Sequence, residues 1–317
     1  MGAPPATPYA YRMRFTVQLP TERVDLGDEL VSAQAISEMA GAVEAAGFDA
    51  CFVTDHPIPG DRWLAAGGHH TLDPFVALSF AAAATRRLRL HTHVLVLPYR
   101  NPFLMAKSAA TLDVLSGGRL ILGVATGYLE PEFAALGVPF EERNELSDEA
   151  IDVLRRVWSE DGIAFEGRHF RAAGNTALPR PIQKPHPPIW VGGNSRRAIR
   201  RAVERGDGWL PFPAPARMAS HIRTAALESL DDLRAGLEYA RAHAAAVGRS
   251  APLDVCFVPF GFELFAREPL DPQAFREHVA ELEALGVTWL AINVPCESRA
   301  EYCEKIERLG REVFGRA

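Results

Sequence analysis

Cysteine is scarce in this chain: Cys51, Cys256, Cys296 and Cys303 are the whole set, and no two form a CxxC pair. Cys51 and Cys256 fall inside apolar runs and read as buried thiols in a reducing cytoplasm. Cys296 and Cys303 read as unpaired surface thiols. Basic residues form no block. With 34 Lys+Arg against 40 Asp+Glu, the formal charge is −6, a poor match for a nucleic-acid or anionic-membrane binder. No uncharged apolar run approaches the ~18 residues of a membrane span. The N-terminal MGAPPATPYAYRMRF has no apolar core of the signal-peptide kind. The expected location is therefore the cytoplasm. Two nucleotide motifs are missing as well. The stretch after the first expected strand, LPTERVDLGDEL, contains no GxGxxG, and Gly118–Gly123 is followed by Val124 rather than the lysine of a phosphate loop.

What is present is alternation. The chain has 317 residues, 48% of them hydrophobic, enough for a large core. Residues 1–12 hold three prolines and no periodicity and read as a mobile tail. Beyond them, short β-branched runs at Phe15–Leu19, Ala50–Thr54, Leu88–Leu97, Leu120–Ala125, Ile189–Val191, Gly208–Leu210, Asp254–Val258 and Trp289–Val294 read as strands. Helical spacing follows each one. Ile36, Met39, Ala40 and Val43 precede a stop at Gly47, and Leu104, Ser108, Leu112 and Leu115 precede Gly117-Gly118. Asp73-Pro74 opens an Ala-rich helix as cap and first-turn proline. Eight strand–helix units predict an α/β fold, a (β/α)8 TIM barrel, as a single domain over residues 13–317. Three long connections interrupt it, near 55–73, 159–188 and 211–230, the second carrying an apparent hairpin with its turn at Glu166-Gly167. Those after the second and sixth strands belong to the C-terminal face, where barrel active sites lie.

Candidate chemistry clusters at strand ends. Thr54-Asp55-His56 ends the second strand, so the imidazole should project at the barrel mouth and Asp55 should fix its orientation. On the third strand His91 and His93 share one face. They pose the choice between a metal site and a pair of hydrogen-bonded barrel-lining histidines. No further ligand stands at the tips of the fifth and sixth strands, so no metal is expected. Ala125-Thr126-Gly127-Tyr128 ends the fourth strand, and its small residues suit a flat ligand lying close to the backbone. Gly192-Gly193-Asn194-Ser195 runs straight into a helix. There backbone amides and the helix dipole favour an anion, Asn194 or Ser195 should cap and add a donor, and Arg196 and Arg197 add positive field.

Together these pieces resemble the bacterial luciferase-like superfamily. The resemblance is carried by residues 101–158 (NPFLMAKSAATLDVLSGGRLILGVATGYLEPEFAALGVPFEERNELSDEAIDVLRRVW), then by FEGRHF, PRPIQKPHPPIWVGGNS and RGDGWLP. It covers most of residues 15–212 and is closest to the F420-dependent oxidoreductase branch, whose motif at the end of strand two is Ser/Thr-Asp-His. The resemblance implies a barrel that binds the deazaflavin F420, with FMN as the alternative, and a homodimer. It implies that His56 is the active-site histidine and that the His93–Val94 bond is a cis peptide backing the ring. It also implies that Thr126 and Gly127 contact cofactor and that Gly192, Gly193, Asn194 and Ser195 bind its phosphate. The sugar-phosphate dehydrogenases of this branch carry Glu directly after the Thr-Gly pair. Tyr128 stands there instead, with Glu130 and Glu132 displaced, so Tyr128 is expected to line a different substrate pocket or donate a proton. The leading expectation is hydride transfer between F420 and a small organic substrate. The alternatives are an FMN-dependent monooxygenase fed by a separate reductase, a metal-dependent hydrolase, and a non-catalytic cofactor binder. The loops at 55–73, 128–146 and 211–230 should set the substrate.

Overall fold

In a computed structural model, residues 13–261 and 271–314 are described; the expected N-terminal tail lies outside them. Eight parallel strands close into a barrel in the order β1 (Arg14–Gln18), β10 (Trp289–Ile292), β9 (Asp254–Phe257), β8 (Gly208–Leu210), β7 (Ile189–Gly192), β4 (Leu120–Ala125), β3 (Arg89–Val96) and β2 (Ala50–Val53). β2 returns to β1 with Thr16 opposite Ala50, completing the ring. The expected TIM barrel is therefore the observed fold. The two remaining strands, β5 (Ile163–Glu166) and β6 (Arg171–Asn175), pair antiparallel outside it as the expected hairpin. The Glu149 carboxylate pins that hairpin's turn by accepting from the amides of His169 and Phe170.

The helices begin and end where local chemistry directs. α1 (Ala33–Ala46) starts with the Ser32 hydroxyl accepting from the Ala35 amide and stops at Gly47, whose φ of +94° suits glycine. α3 (Pro74–Ala84) is capped by the Asp73 carboxylate, and α4 (Pro102–Ser116) by Asn101. α6 (Arg143–Ser159), α7 (Arg196–Arg205), α9 (Leu230–Ala246), α10 (Pro272–Leu285) and α11 (Arg299–Phe314) complete the outer layer. Short helices that the apolar periodicity does not signal lie in the connections: α2 (Asp61–Ala65), α5 (Glu130–Ala135) and α8 (Ala216–His221). Each is too brief to show a helical repeat.

Most of the apolar core lies between strands and helices, and a smaller cluster fills the barrel itself with Phe52, Ile121, Trp190, Leu210 and Trp289. The Ala-rich helix α3 turns Ala77, Ala81 and Ala82 toward the core and leaves Val76 and Phe80 exposed. All four cysteines are free thiols. Cys51 and Cys256 are buried as expected, but Cys296 is buried too, correcting its reading as a surface thiol. It lies just beyond β10, against the core formed with α11.

Candidate active site

At the end of β2 alternation turns Ala50 and Phe52 into the barrel and delivers Thr54-Asp55-His56 to its mouth. Asp55 does not orient the imidazole, as the sequence had suggested. It is buried, grips Arg100 in two bonds of 2.6 and 2.9 Å, and accepts from the Val96 amide at 2.9 Å. Arg100 also reaches Asp73 at 3.2 Å. Asp55 thus ties the end of β2 to the segment after β3.

The group that holds His56 is Glu132. His56 Nδ1 lies 3.3 Å from Glu132 Oε2. Glu132 is fully buried, accepts from the Tyr99 hydroxyl at 2.8 Å, and accepts from the Ile58 amide at 3.2 Å. Burial and the neighbouring Glu132 push the Tyr99 phenol well above its ordinary pKa, so it keeps its proton and donates. Four residues separate Gly127 from Glu132, and the chain closes that gap with a φ of +78° at Gly127 and the single-turn start of α5. A side chain at Gly127 would run into Val96 and Phe133. Sequence spacing points only to the position directly after Thr-Gly. The available signal was Glu132 next to the apolar Phe133; the structure buries it and leaves Glu130, the other glutamate of α5, exposed.

Three rings join His56 on this wall. Trp63 lies 4.6 Å from it, His69 5.0 Å and Tyr128 6.4 Å, between ring centres. Burial, with Glu132 adding to it, pushes the Tyr128 phenol up to about 12. Burial, then the nearby His56 and His70, pulls His69 down to about 4, so it is neutral at physiological pH.

The floor is the β3 bulge. The His93–Val94 peptide is cis, as the family resemblance implied, and the register against β4 slips between Thr92 and Leu95. Burial pulls His93 down to about 4. His91 lies deeper, fully buried between Trp190 at 5.0 Å and His93 at 5.1 Å. Neither of its ring nitrogens has a hydrogen-bond partner, which corrects the expectation of a hydrogen-bonded pair. Among the described residues no three His, Cys, Asp or Glu side chains are grouped to hold a metal ion.

Across the mouth, β7 ends in the expected turn. A methyl group on Gly192 would sit 3.3 Å from the Val94 side chain, so this strand end and the bulge border one space. Gly193 has φ +118° and accepts from the Trp209 indole at 2.8 Å. Asn194 is not free to contact an anion with its side chain. Its amide donates to the Phe212 carbonyl at 2.8 Å and the Ala225 carbonyl at 3.2 Å, and accepts from the Phe212 amide at 3.1 Å. Ser195 is the cap of α7, accepting from the Ala198 amide at 3.2 Å. Arg197 is paired with Glu145 at 2.8 Å, and Arg196 lies over the Tyr239 ring. What the turn offers an anion is the backbone amides of Arg196 and Arg197, which have no partner within the helix, the Ala198 amide being taken by Ser195. Thr126 and Gly127 stand at the adjoining end of β4.

The sequence model of the luciferase-like monooxygenases matches residues 13–282. The FMNH2-dependent dimethylsulfone monooxygenase of Pseudomonas putida is 32% identical over 218 residues, 68% of this chain and 56% of that protein. The F420-dependent glucose-6-phosphate dehydrogenase of Intrasporangium calvum is 37% identical over 176 residues, 53% of this chain and 50% of that protein. The crystal structure of the monooxygenase RslO1 from Streptomyces bottropensis superposes with a TM-score of 0.76, covering 96% of this chain and 99% of that one at 21% identity, a likeness of fold.

Proposed function

The chain belongs to the luciferase-like monooxygenase family, an oxidoreductase family with FMN- and F420-dependent relatives, and from that premise we propose that it is an F420-dependent oxidoreductase. The observation that carries this reading is the His56–Glu132–Tyr99 chain beyond the end of β2, together with the cis bulge on the neighbouring β3. Moving a hydride to or from a carbon bonded to oxygen requires a proton to move at that oxygen, and this chain of groups is built to move one.

The cleft fits a flat ring bearing a phosphate. The Val94 bulge offers a floor, Gly192 leaves room beside it that a side chain would fill, and the first turn of α7 offers amides to an anion. F420, when bound, supplies a carbon that carries hydride where flavin has a nitrogen. His56 would take or give the proton through Nε2, since Nδ1 is engaged by Glu132. Tyr99 fixes the position of Glu132, and Glu132 that of the imidazole. Tyr128, with its raised pKa, acts as a hydrogen-bond donor rather than a base. Asp55 is a positioning residue that clamps β2 to the segment after the bulge. Thr126, Gly127, Gly192, Gly193, Asn194 and Ser195 hold the cofactor, the last two by shaping the turn.

The same proposal includes a small organic substrate and a homodimer. Val76 and Phe80 on α3, with Leu104 and Leu115 on α4, are 43 to 74% exposed and offer an apolar face to a second copy. Among the described residues no helix is long and apolar enough to cross a membrane, and a cytoplasmic location belongs to the proposal.

A titration tests the cofactor. Trp63 touches His56, while Trp158, Trp190, Trp209 and Trp289 are buried in the body of the protein. F420 should quench tryptophan fluorescence saturably at micromolar concentration, and FMN, oxidised or reduced, should not. Preference for reduced FMN would replace this reading with an oxygen-dependent monooxygenase supplied by a separate reductase.

A further inference from the structure

At the rim of the mouth two arginines converge on one ring. Arg143 opens α6, and Arg223 lies in the loop after β8. Their guanidinium carbons stand 4.1 and 4.6 Å from the centre of the Phe140 ring. Both walls of the mouth connect to this point. Phe140 packs edge-on against Phe133 at 5.0 Å, and Phe133 against Tyr99 at 4.8 Å, the residue that bonds Glu132. On the other side Thr224, directly after Arg223, accepts from the Asn194 amide at 2.9 Å. The pair is therefore tied to the proton chain through Phe140 and to the β7 turn through Thr224.

Arg223 is held there against its backbone preference. Its φ of +53° is the one positive φ at a non-glycine residue among the described residues. A residue with a Cβ disfavours that region, and such strain collects where a position serves a ligand. The charges are loosely matched as well. Arg223 lies 3.7 Å from Glu130 and 3.9 Å from Glu141, and Arg143 3.9 Å from Glu141, all beyond hydrogen-bond length. Glu130 and Glu141 are 66 and 81% exposed, and ion pairs of that kind contribute little. Among the described residues no hydrogen bond ties the Arg223 guanidinium, and Arg143 makes one, to the Phe140 carbonyl at 2.9 Å. The neighbouring Arg197 and Arg168, by contrast, are closed by Glu145 at 2.8 Å and Glu142 at 2.5 Å. Burial, then the like charge of Arg223, pulls the Arg143 guanidinium below its ordinary pKa, so an added anion is favoured. Arg223 is 45% exposed, which leaves the pair open to a ligand arriving from solvent.

We infer that Arg143 and Arg223 form a receptor for a carboxylate or phosphate group on a ligand that reaches the rim of the cleft. Guanidinium donors in their fork geometry meet the oxygens of such a group more closely than they meet Glu130 and Glu141. Exchange of a loose internal carboxylate for a bidentate one is favourable. Glu141, which lies near both arginines, is the internal competitor that the ligand displaces. The receptor goes beyond the proposed function by assigning an acidic group to the ligand, and it holds for either cofactor. Two sources share this chemistry, an acidic substrate and the cofactor's own anionic group, and the experiment separates them.

Glutarate, a flexible dicarboxylate, and its uncharged diamide test this by calorimetry on the full chain, before cofactor is added. Glutarate should bind saturably, and more weakly as salt is raised, with the diamide at least about tenfold weaker. Arg223→Gln should weaken glutarate about tenfold, and Glu141→Gln, which removes the competitor, should tighten it about threefold. Arg223→Gly gives the readout that a merely structural arginine would not. It should lose glutarate as Arg223→Gln does while melting no lower than wild type, because glycine adopts φ +53° without strain. Equal binding of the diamide, glutarate affinity unchanged in Arg223→Gln, or weaker affinity in Glu141→Gln would overturn the inference. Adding F420 identifies the source: joint binding assigns the acidic group to the substrate, mutual exclusion assigns it to the cofactor, and either result upholds the receptor. Failure of F420 to bind would overturn the cofactor reading alone, because the glutarate titration is made without it.

Discussion

At the ends of β2 and β4 the mouth of the barrel is walled by polar and aromatic side chains, and at the ends of β7 and β8 it is walled by backbone. On the first side His56, Glu132, Tyr128 and His69 lie together, and Asp55 grips Arg100 at the base of the same strand end. On the second side the polar side chains are consumed: Asn194 latches the turn to Phe212 and Ala225, and Ser195 caps α7. The difference teaches how one strand-end motif serves two ends. On the proposed reading, the residue type carries the function where protons move, and where an anion is held the residue type shapes a turn and leaves the peptide groups to the ligand.

Removing Asp55 should break this comparison most severely. Asp55→Ala leaves Arg100 in a partly buried site without its main partner and frees the Val96 amide just beyond the bulge. Breaking a buried pair by one member costs about 3 kcal/mol. A loss of that size in urea unfolding, with F420 affinity falling alongside, is the expected result. A variant as stable as wild type would show that the clamp is solvated and that the bulge is held by other contacts.

Glu132→Gln tests the proton side alone. The amide keeps the shape and can still accept from Tyr99, but it gives His56 no charged partner. The rate of hydride transfer should fall about 10²-fold with the cofactor titration unchanged. Equal losses in F420 binding and in rate would mean that Glu132 builds the pocket and does not direct the proton.

The strands and most outer helices were legible because each carries a repeat, a cap or a stop that acts over a few residues. Asp73-Pro74, Gly47 and Gly117 do in the structure what their chemistry requires. His56 and the His93–Val94 bulge were legible from the family motif, and Glu132 was not. Its approach to His56 spans 76 positions in the chain and depends on a glycine turn and a helix of six residues, neither of which leaves a periodic trace. Asp55 and Asn194 were misread for a related reason. A polar residue at a strand end shows what it can bond, while its partner is set by whichever distant segment folds against it, Arg100 in one case and Phe212 in the other.

Ser195→Ala carries the smallest expected effect and sharpens the comparison most finely. The Ser195 hydroxyl accepts from the Ala198 amide, and losing such a cap costs about 1 kcal/mol. If the turn binds an anion through peptide groups, the variant should lose that stability while its affinity for F420 drops less than about threefold, because the Gly193 conformation and the Asn194 latch remain. A much larger loss would mean that the hydroxyl, still free to donate its own proton, contacts the phosphate directly. In that case the β7 side of the mouth would also work through its side chains, and the contrast between the two sides would be one of charge rather than of backbone against side chain.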